Sequence, residues 1–393
     1  MTFLFWIVAA LLAHTYVFYP VSLIILGWIF SKYHSKSSHP RNKVSIIIAA
    51  YNEEKIIEEK IRNCLELDYP EGLLEIIIGS DGSTDRTNTI IERHPDRNKI
   101  KFYPFEVNAG KAAVLNQLTN KASGDILLFC DANTMLLKNS VQKLISNFKD
   151  DEVGCVCGRL ILQDSTGSSL GKGESLYWAL ESEIKKLEGG LGIVLGANGG
   201  VYAIRKELYR KIPEKKTIMD DFFITTQVLV NRKSAVYEPL AIGSEQTSVD
   251  KYGEFKRKVR IGQANFNMFK SYLALLNPRL GVVAYSFFSH KFLRWLGPVL
   301  LLALFLLNLI ILFTGASTAF YWLLAAAQTF LYLLALMGFF ANRKKQKTGI
   351  ILTLPFYFTS MNIALFWGMI KAILGSDGGM WDRIERAEPG TPT

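Results

Sequence analysis

Cysteine is scarce in this chain: four in 393 residues, Cys64, Cys130, Cys155 and Cys157, with no Cys-x-x-Cys pair. That excludes a disulfide framework and spells neither a zinc site nor a redox motif, so four buried thiols in a reducing compartment are expected. Acid is in short supply as well, with 35 Asp and Glu against 45 Lys and Arg, a net charge of +10. Asp, Glu, Lys and Arg are absent altogether from Phe3–Phe30 and from Leu296–Asn342, a segregation that a single soluble domain does not show. The common glycine signatures for phosphate are also missing. Phe105 stands where a Walker A motif ending at Lys111 needs its first Gly, and Gly190-x-Gly192 is followed by Leu195 in place of the third Gly of a dinucleotide fingerprint. Gly167-Ser168-Ser169-Leu170-Gly171 fits the pattern of a nucleophile elbow but lies in a Ser, Thr and Gly stretch rather than between a strand and a helix, so a hydrolase is not supported.

What is present begins with membrane-length helices. A crossing takes about 20 apolar residues. Residues 1–31 supply one with no cleavage signal after it, so an anchor is expected. Lys32, Lys36, Arg41 and Lys43 place the next domain in the cytosol. Residues 296–342 are long enough for a two-helix hairpin divided near Gly315, and Arg343, Lys344, Lys345 and Lys347 return its end to the cytosolic side. Residues 271–295 mix apolar side chains with His290, Lys291 and Arg294 and are expected to lie in the interface. The stretch 349–374, broken by Pro355, either crosses once or lies at the interface as a re-entrant element, before a tail at 375–393.

Between these regions, 44–270 reads as alternating strands and helices. Val44–Ala50 is a continuous β-branched run, followed by a helical pattern from Glu53 to Leu65. Strands at Leu74–Gly79, Ile100–Tyr103 and Asp125–Cys130 alternate with helices at Asp85–Glu92 and Lys111–Leu118. The pattern predicts a parallel α/β sheet with helices on both faces, which binds ligands beyond the carboxyl ends of its strands. Those ends carry Tyr51-Asn52-Glu53, Asp81-Gly82-Ser83-Thr84-Asp85 and Asp131-Ala132-Asn133. Each alone is ordinary turn chemistry. Together with Lys111 at a helix start they suit a metal ion bridging a phosphate group.

Five motifs in order, Ala49-Ala50-Tyr51-Asn52-Glu53, Ser80-Asp81-Gly82-Ser83-Thr84-Asp85, Asn108-Ala109-Gly110-Lys111, Asp131-Ala132-Asn133 and Met219-Asp220-Asp221, resemble those of the family 2 glycosyltransferases. The resemblance is to their membrane-embedded synthases of cellulose, hyaluronan and poly-N-acetylglucosamine. It implies a GT-A, Rossmann-like cytosolic domain inserted between transmembrane helices of the plasma membrane. It implies an inverting transfer of sugar from a UDP-sugar to a growing surface polysaccharide, or one transfer to a lipid-linked acceptor. By the same resemblance Ala49, Tyr51, Glu53, Asp81, Lys111 and Asp131 hold the nucleotide-sugar. Asp131 and Asn133 hold Mg²⁺ or Mn²⁺, with Asn133 a departure from the usual carboxylate. Asp221 is the catalytic base and Asp220 its neighbouring candidate.

Arg257 and Arg260 fall where the synthases carry Gln-x-x-Arg-Trp. Ile261 replaces that Trp, which weakens processivity and leaves room for single transfer. Asn198 and Gly199, in Gly196-Ala197-Asn198-Gly199-Gly200, are implied on the acceptor side with Ile261 and with Trp381, which resembles part of a gating loop alongside Arg386. A membrane scaffold that senses nucleotide without turnover would keep Asp81 and Lys111 but has no need of Asp221. Nucleic acid is not an expected partner, because much of the positive charge flanks membrane segments.

Overall fold

A computed structural model describes residues 1–31, 34–163, 169–214, 216–246, 253–314, 318–344, 346 and 348–375. They fall into two compact bodies, one of Leu26–Ser165 with Ser182–Ser248, the other of Met1–Ile25, Thr166–Glu181 and Val249–Ser376. The expected domain 44–270 is therefore divided, because 169–181 and the helix Gly253–Asn267 fall with the long apolar helices.

The first body is built on one eight-stranded sheet. Its strands are β1 (Val44–Ala50), β2 (Leu74–Asp81), β3 (Ile100–Phe105), β4 (Ile126–Phe129), β5 (Met135–Leu136), β6 (Val153–Gln163), β7 (Tyr202–Arg205) and β8 (Ser234–Gln246), in the order β3-β2-β1-β4-β7-β6-β8-β5. The run Val-Ser-Ile-Ile-Ile-Ala-Ala makes β1 a central strand, buried on both faces along its length. β1, β2, β3 and β4 pair in parallel as expected. The other half of the sheet is mixed, which corrects the purely parallel expectation: β7 is antiparallel to β4 and β6, and β5 is antiparallel to β8. β8 holds Pro239, which cannot donate to a ladder, and the β6–β8 register slips opposite it between Gly158 and Arg159.

One helix begins later than its apolar pattern suggests. It runs Ile57–Leu65 rather than from Glu53, because the Glu53 and Glu54 amides donate outward, to Thr87 Oγ1 at 2.8 Å and Asp85 Oδ2 at 3.1 Å.

Among the described residues, four helices are long and apolar enough to cross a membrane: Thr2–Phe30, Val282–Phe313, Ala319–Arg343 and Ile350–Ile373; apart from Leu26–Phe30 they belong to the second body. Val282–Phe313 is continuous, so residues 282–295 of the segment expected at the interface run on into the hairpin's first helix, while Phe269–Tyr272, Leu273–Leu276 and Pro278–Leu280 are short helical turns before it. Its cations turn inward, Lys291 and Arg294 donating to the buried Glu181 at 2.7 and 2.9 Å. Ile350–Ile373 runs on through Pro355, which forgoes one backbone hydrogen bond without ending the helix. That helix meets Ala319–Arg343 near the latter's charged end, where Phe339 and Phe356 rings lie 6.2 Å apart. It meets the basic helix Gly253–Asn267 at Gly262 and Gly368.

Candidate active site

The carboxyl ends of β1, β2 and β4 are stitched together by polar side chains. Asn52 adopts φ 54° and its Oδ1 accepts from Thr84 N at 2.8 Å, while its own amide donates to Ser83 Oγ at 3.0 Å. This fixes Tyr51 and Glu53 on the loop after Ala49 and Ala50. Gly82 has φ 64°, and a Cβ there would lie 2.6 Å from Asn108 N, so only glycine lets the two loops close. Asp81, the fully buried last residue of β2, accepts from Ala109 N at 2.8 Å and Gly110 N at 2.9 Å. Burial pushes its carboxyl above the ordinary range and the two amides pull it back in part. Asp81 thus orients the turn that launches the helix Lys111–Lys121.

Lys111 opens that helix with its ammonium 2.8 Å from Asp131 Oδ1 and 3.1 Å from Asp220 Oδ2. Burial works against its charge, but these carboxylates more than offset it and hold the proton well above the ordinary lysine range. Asp220 and Asp221 open the helix Asp220–Val230, where the free amides favour negative charge. Asp221 Oδ1 accepts from Phe222 N at 2.7 Å. Dense surroundings, and after them the Asp220 charge, raise its carboxyl from 3.8 to about 6, with Lys111 opposing.

The loop before β7 closes the other side. A Cβ on Gly199 would stand 3.3 Å from Asp221 Oδ2 and 3.8 Å from Asp131 Oδ2, so Gly199 lies against both carboxylates. Thr225 ties loop to helix, accepting from Ala197 N at 3.1 Å and donating to Asp221 O at 2.7 Å. Asn198 faces the core: its Nδ2 donates to Gly158 O at 2.7 Å and its Oδ1 accepts from the buried Lys185. Gly199, rather than the Asn198 side chain, is what this loop presents to the carboxylates.

The expected residues Ala49, Tyr51, Glu53, Asp81, Lys111, Asp131, Asn133, Asn198, Gly199, Asp220 and Asp221 all belong to the sheet-bearing body. Arg257, Arg260 and Ile261 lie on the helix Gly253–Asn267 of the other body, where Arg257 packs 5.9 Å over the Trp178 ring and Lys258 4.5 Å over Tyr177. Lys258 is buried there. Trp381 and Arg386, and Gly167-Ser168 of the elbow pattern, lie outside the described residues. Two buried lysines, Lys60 and Lys185, escaped the sequence reading. Lys60 left a signal, a cation in the apolar stripe Ile57, Lys60, Ile61, Cys64 at helical spacing.

No group of three His, Cys, Asp or Glu side chains that could hold a metal occurs among the described residues, which leaves the oxygens of the expected pair Asp131 and Asn133. Such a pair suits Mg²⁺ or Mn²⁺ completed by phosphate oxygens and water.

Residues 45–212 match the family model described as Glycosyl transferase family 2. Over 265 residues the chain is 29% identical to the poly-beta-1,6-N-acetyl-D-glucosamine synthase of Staphylococcus aureus (strain COL) and 28% identical to that of Staphylococcus epidermidis. Each match spans 63% of this chain and 64% of the relative's length. Among solved structures, the mannosyltransferase PcManGT from Pyrobaculum calidifontis, in complex with GDP-Man and Mn²⁺, superposes with a TM-score of 0.65 at 22% identity, over 95% of this chain and 100% of that one. That likeness extends to the fold.

Proposed function

From a chain that carries a family 2 glycosyltransferase domain of GT-A fold among membrane-length helices, we propose an inverting membrane enzyme that moves sugar from a UDP-sugar to a growing surface polysaccharide. The observation that carries this reading is the convergence of Asp131 and Asp220 on Lys111, with Gly199 packed against the Asp221 and Asp131 carboxylates, at the carboxyl edge of the sheet. Asp221 takes the proton of the acceptor hydroxyl as that oxygen attacks the anomeric carbon, in one displacement with oxocarbenium character. Lys111 balances charge on the departing diphosphate. Asp131 and Asn133 would hold Mg²⁺ or Mn²⁺, which when bound neutralises the diphosphate further. The mannosyltransferase structure with GDP-Man and Mn²⁺ supports a nucleotide-sugar and a divalent ion here, and the synthase relatives support a polysaccharide product.

Arg257 and Arg260 are assigned to the diphosphate, and Ile261 and Trp381 to the acceptor. Ile261 in place of the synthases' Trp favours a second reading, a single transfer to a lipid-linked acceptor. The sheet-bearing body is assigned to the cytosol, after the basic run following Thr2–Phe30. Membranes holding the protein, incubated in turn with radiolabelled UDP-sugars, test the proposal. One donor should give a high-molecular-weight product. A single sugar on the lipid fraction would favour the second reading, and no consumption of any UDP-sugar would overturn both.

A further inference from the structure

The helix Ile57–Leu65 presents Ile57, Ile61 and Cys64 to the core, and Lys60 shares that face, fully buried. An ammonium so placed is costly unless its donors are used. Its Nζ donates to Cys130 Sγ at 2.8 Å and to Thr134 O. Cys130 and Thr134 are the two ends of the turn that carries Asp131 and Asn133, and the Thr134 amide closes that turn on Asp131 O at 3.1 Å. Thr134 Oγ1 is anchored in its own right on the buried Glu245. The ammonium also attracts the Asp131 carboxylate, whose Oδ1 Lys111 holds at 2.8 Å.

We propose that Lys60 is a positioning residue that clasps both ends of the Cys130–Thr134 turn from the core, so that Asp131 and Asn133 present their oxygens to a divalent cation and a nucleoside diphosphate. This rests on the donor site assigned above. A solvated lysine would bring neither bond. An apolar residue in its place would leave Thr134 O with only the weak Cys130 thiol donor at 3.6 Å and loosen the turn. Supporting groups of this kind change metal affinity by about 10- to 100-fold when removed.

The test uses the full chain in detergent or lipid nanodiscs, with uridine, UMP and UDP as probes, with and without Mn²⁺. Lys60→Met keeps the length but removes charge and donors, whereas Lys60→Gln keeps a donor. Lys60→Met should bind UDP with Mn²⁺ about tenfold more weakly and leave uridine affinity unchanged, with Lys60→Gln intermediate. Amide exchange at Asn133 and Thr134 should quicken in Lys60→Met while β1 stays protected. Uridine and UDP weakening together, or UDP with Mn²⁺ binding as in the parent, would overturn the proposal. Should the parent itself bind none of the three, the donor assignment fails, and exchange alone decides: unchanged exchange at Asn133 and Thr134 refutes the clasp. If Lys60→Met does not fold, Lys60→Gln carries both readouts.

Discussion

Replacing Asp221 by Asn should separate activity from stability in opposite directions. The carboxyl is lifted from 3.8 to about 6 by its dense surroundings and by Asp220. Its folded form therefore holds a proton to higher pH than the unfolded chain does, and ionising it costs folding energy: stability is highest below the unfolded value and is lost as pH rises through about 6. The difference corresponds to about 3 kcal/mol at neutral pH. That is an upper bound, because the residue is only partly buried by accessible surface. Asn keeps the shape and can still accept from Phe222 N, but it cannot ionise. Asp221→Asn should therefore raise the unfolding midpoint by several degrees at pH 7.5 and by nothing at pH 4. Transfer should fall by about 10² to 10⁴ with UDP affinity little changed. In the parent enzyme, transfer should drop about tenfold per pH unit below 6 as the base is protonated. Scanning calorimetry or fluorescence melts at both pH values, together with sugar transfer, decide the matter. Near-normal transfer by the variant would make another group the base, and a lowered midpoint at pH 7.5 would show that the ionised carboxylate supports the fold.

Other outcomes follow from the same geometry. Gly199→Ala puts a methyl group 3.3 Å from Asp221 Oδ2, so it should cut transfer by about tenfold while UDP affinity holds, because a small displacement at the reacting groups is costly; unchanged kcat would remove Gly199 from the acceptor side. Excess chelator should abolish transfer, and Asn133→Asp should lower the Mn²⁺ concentration for half-maximal activity by adding a second carboxylate; full turnover in chelator would exclude the divalent ion. For the tail, Ile350–Ile373 packs on the basic helix Gly253–Asn267, on the charged end of the hairpin and, through Phe358, on Tyr16 of Thr2–Phe30; the resemblance of Trp381 and Arg386 to a gating loop is what puts the tail on the cytosolic side. Thr391→Cys should then resist an impermeant thiol reagent in intact cells, and because the four native thiols are buried, labelling would report a tail on the outer side.

The sequence made one half of the sheet plain. β1, β2 and β4 are apolar runs that lead into acids, and parallel central strands read that way because both faces are covered, whereas β3, at the sheet edge, carries exposed Lys101 and Pro104. The antiparallel half is hidden for definite reasons: β7 has four residues, and β8 is broken by Pro239 and Gly243. With those strands unread, the motifs at 196–200 and 219–221 had no visible frame, and only their resemblance to a family placed them. What no pattern conveyed is that Asn198 turns to Lys185 and the core, since a side chain's direction within a loop depends on partners far away in sequence.

The charges at this edge also explain why so much of the site is rigid before any ligand arrives. Asp131, Asp220 and Asp221 converge around one mostly buried ammonium, Lys111, and Asp131 is attracted in addition by a second ammonium in the core, Lys60. Three carboxylates cannot be brought this close on mobile loops, because repulsion would spread them. The sequence answers by pinning each one. Asp131 sits in a turn held at both ends from the core, Asp220 meets Lys111 at a helix start, and Asp221 is tied through its own backbone to Thr225 and the Ala197 amide. Burial, and after it the charge of Asp220, keeps Asp221 basic, so the close packing that pins these carboxylates is the same property that equips the residue to accept a proton.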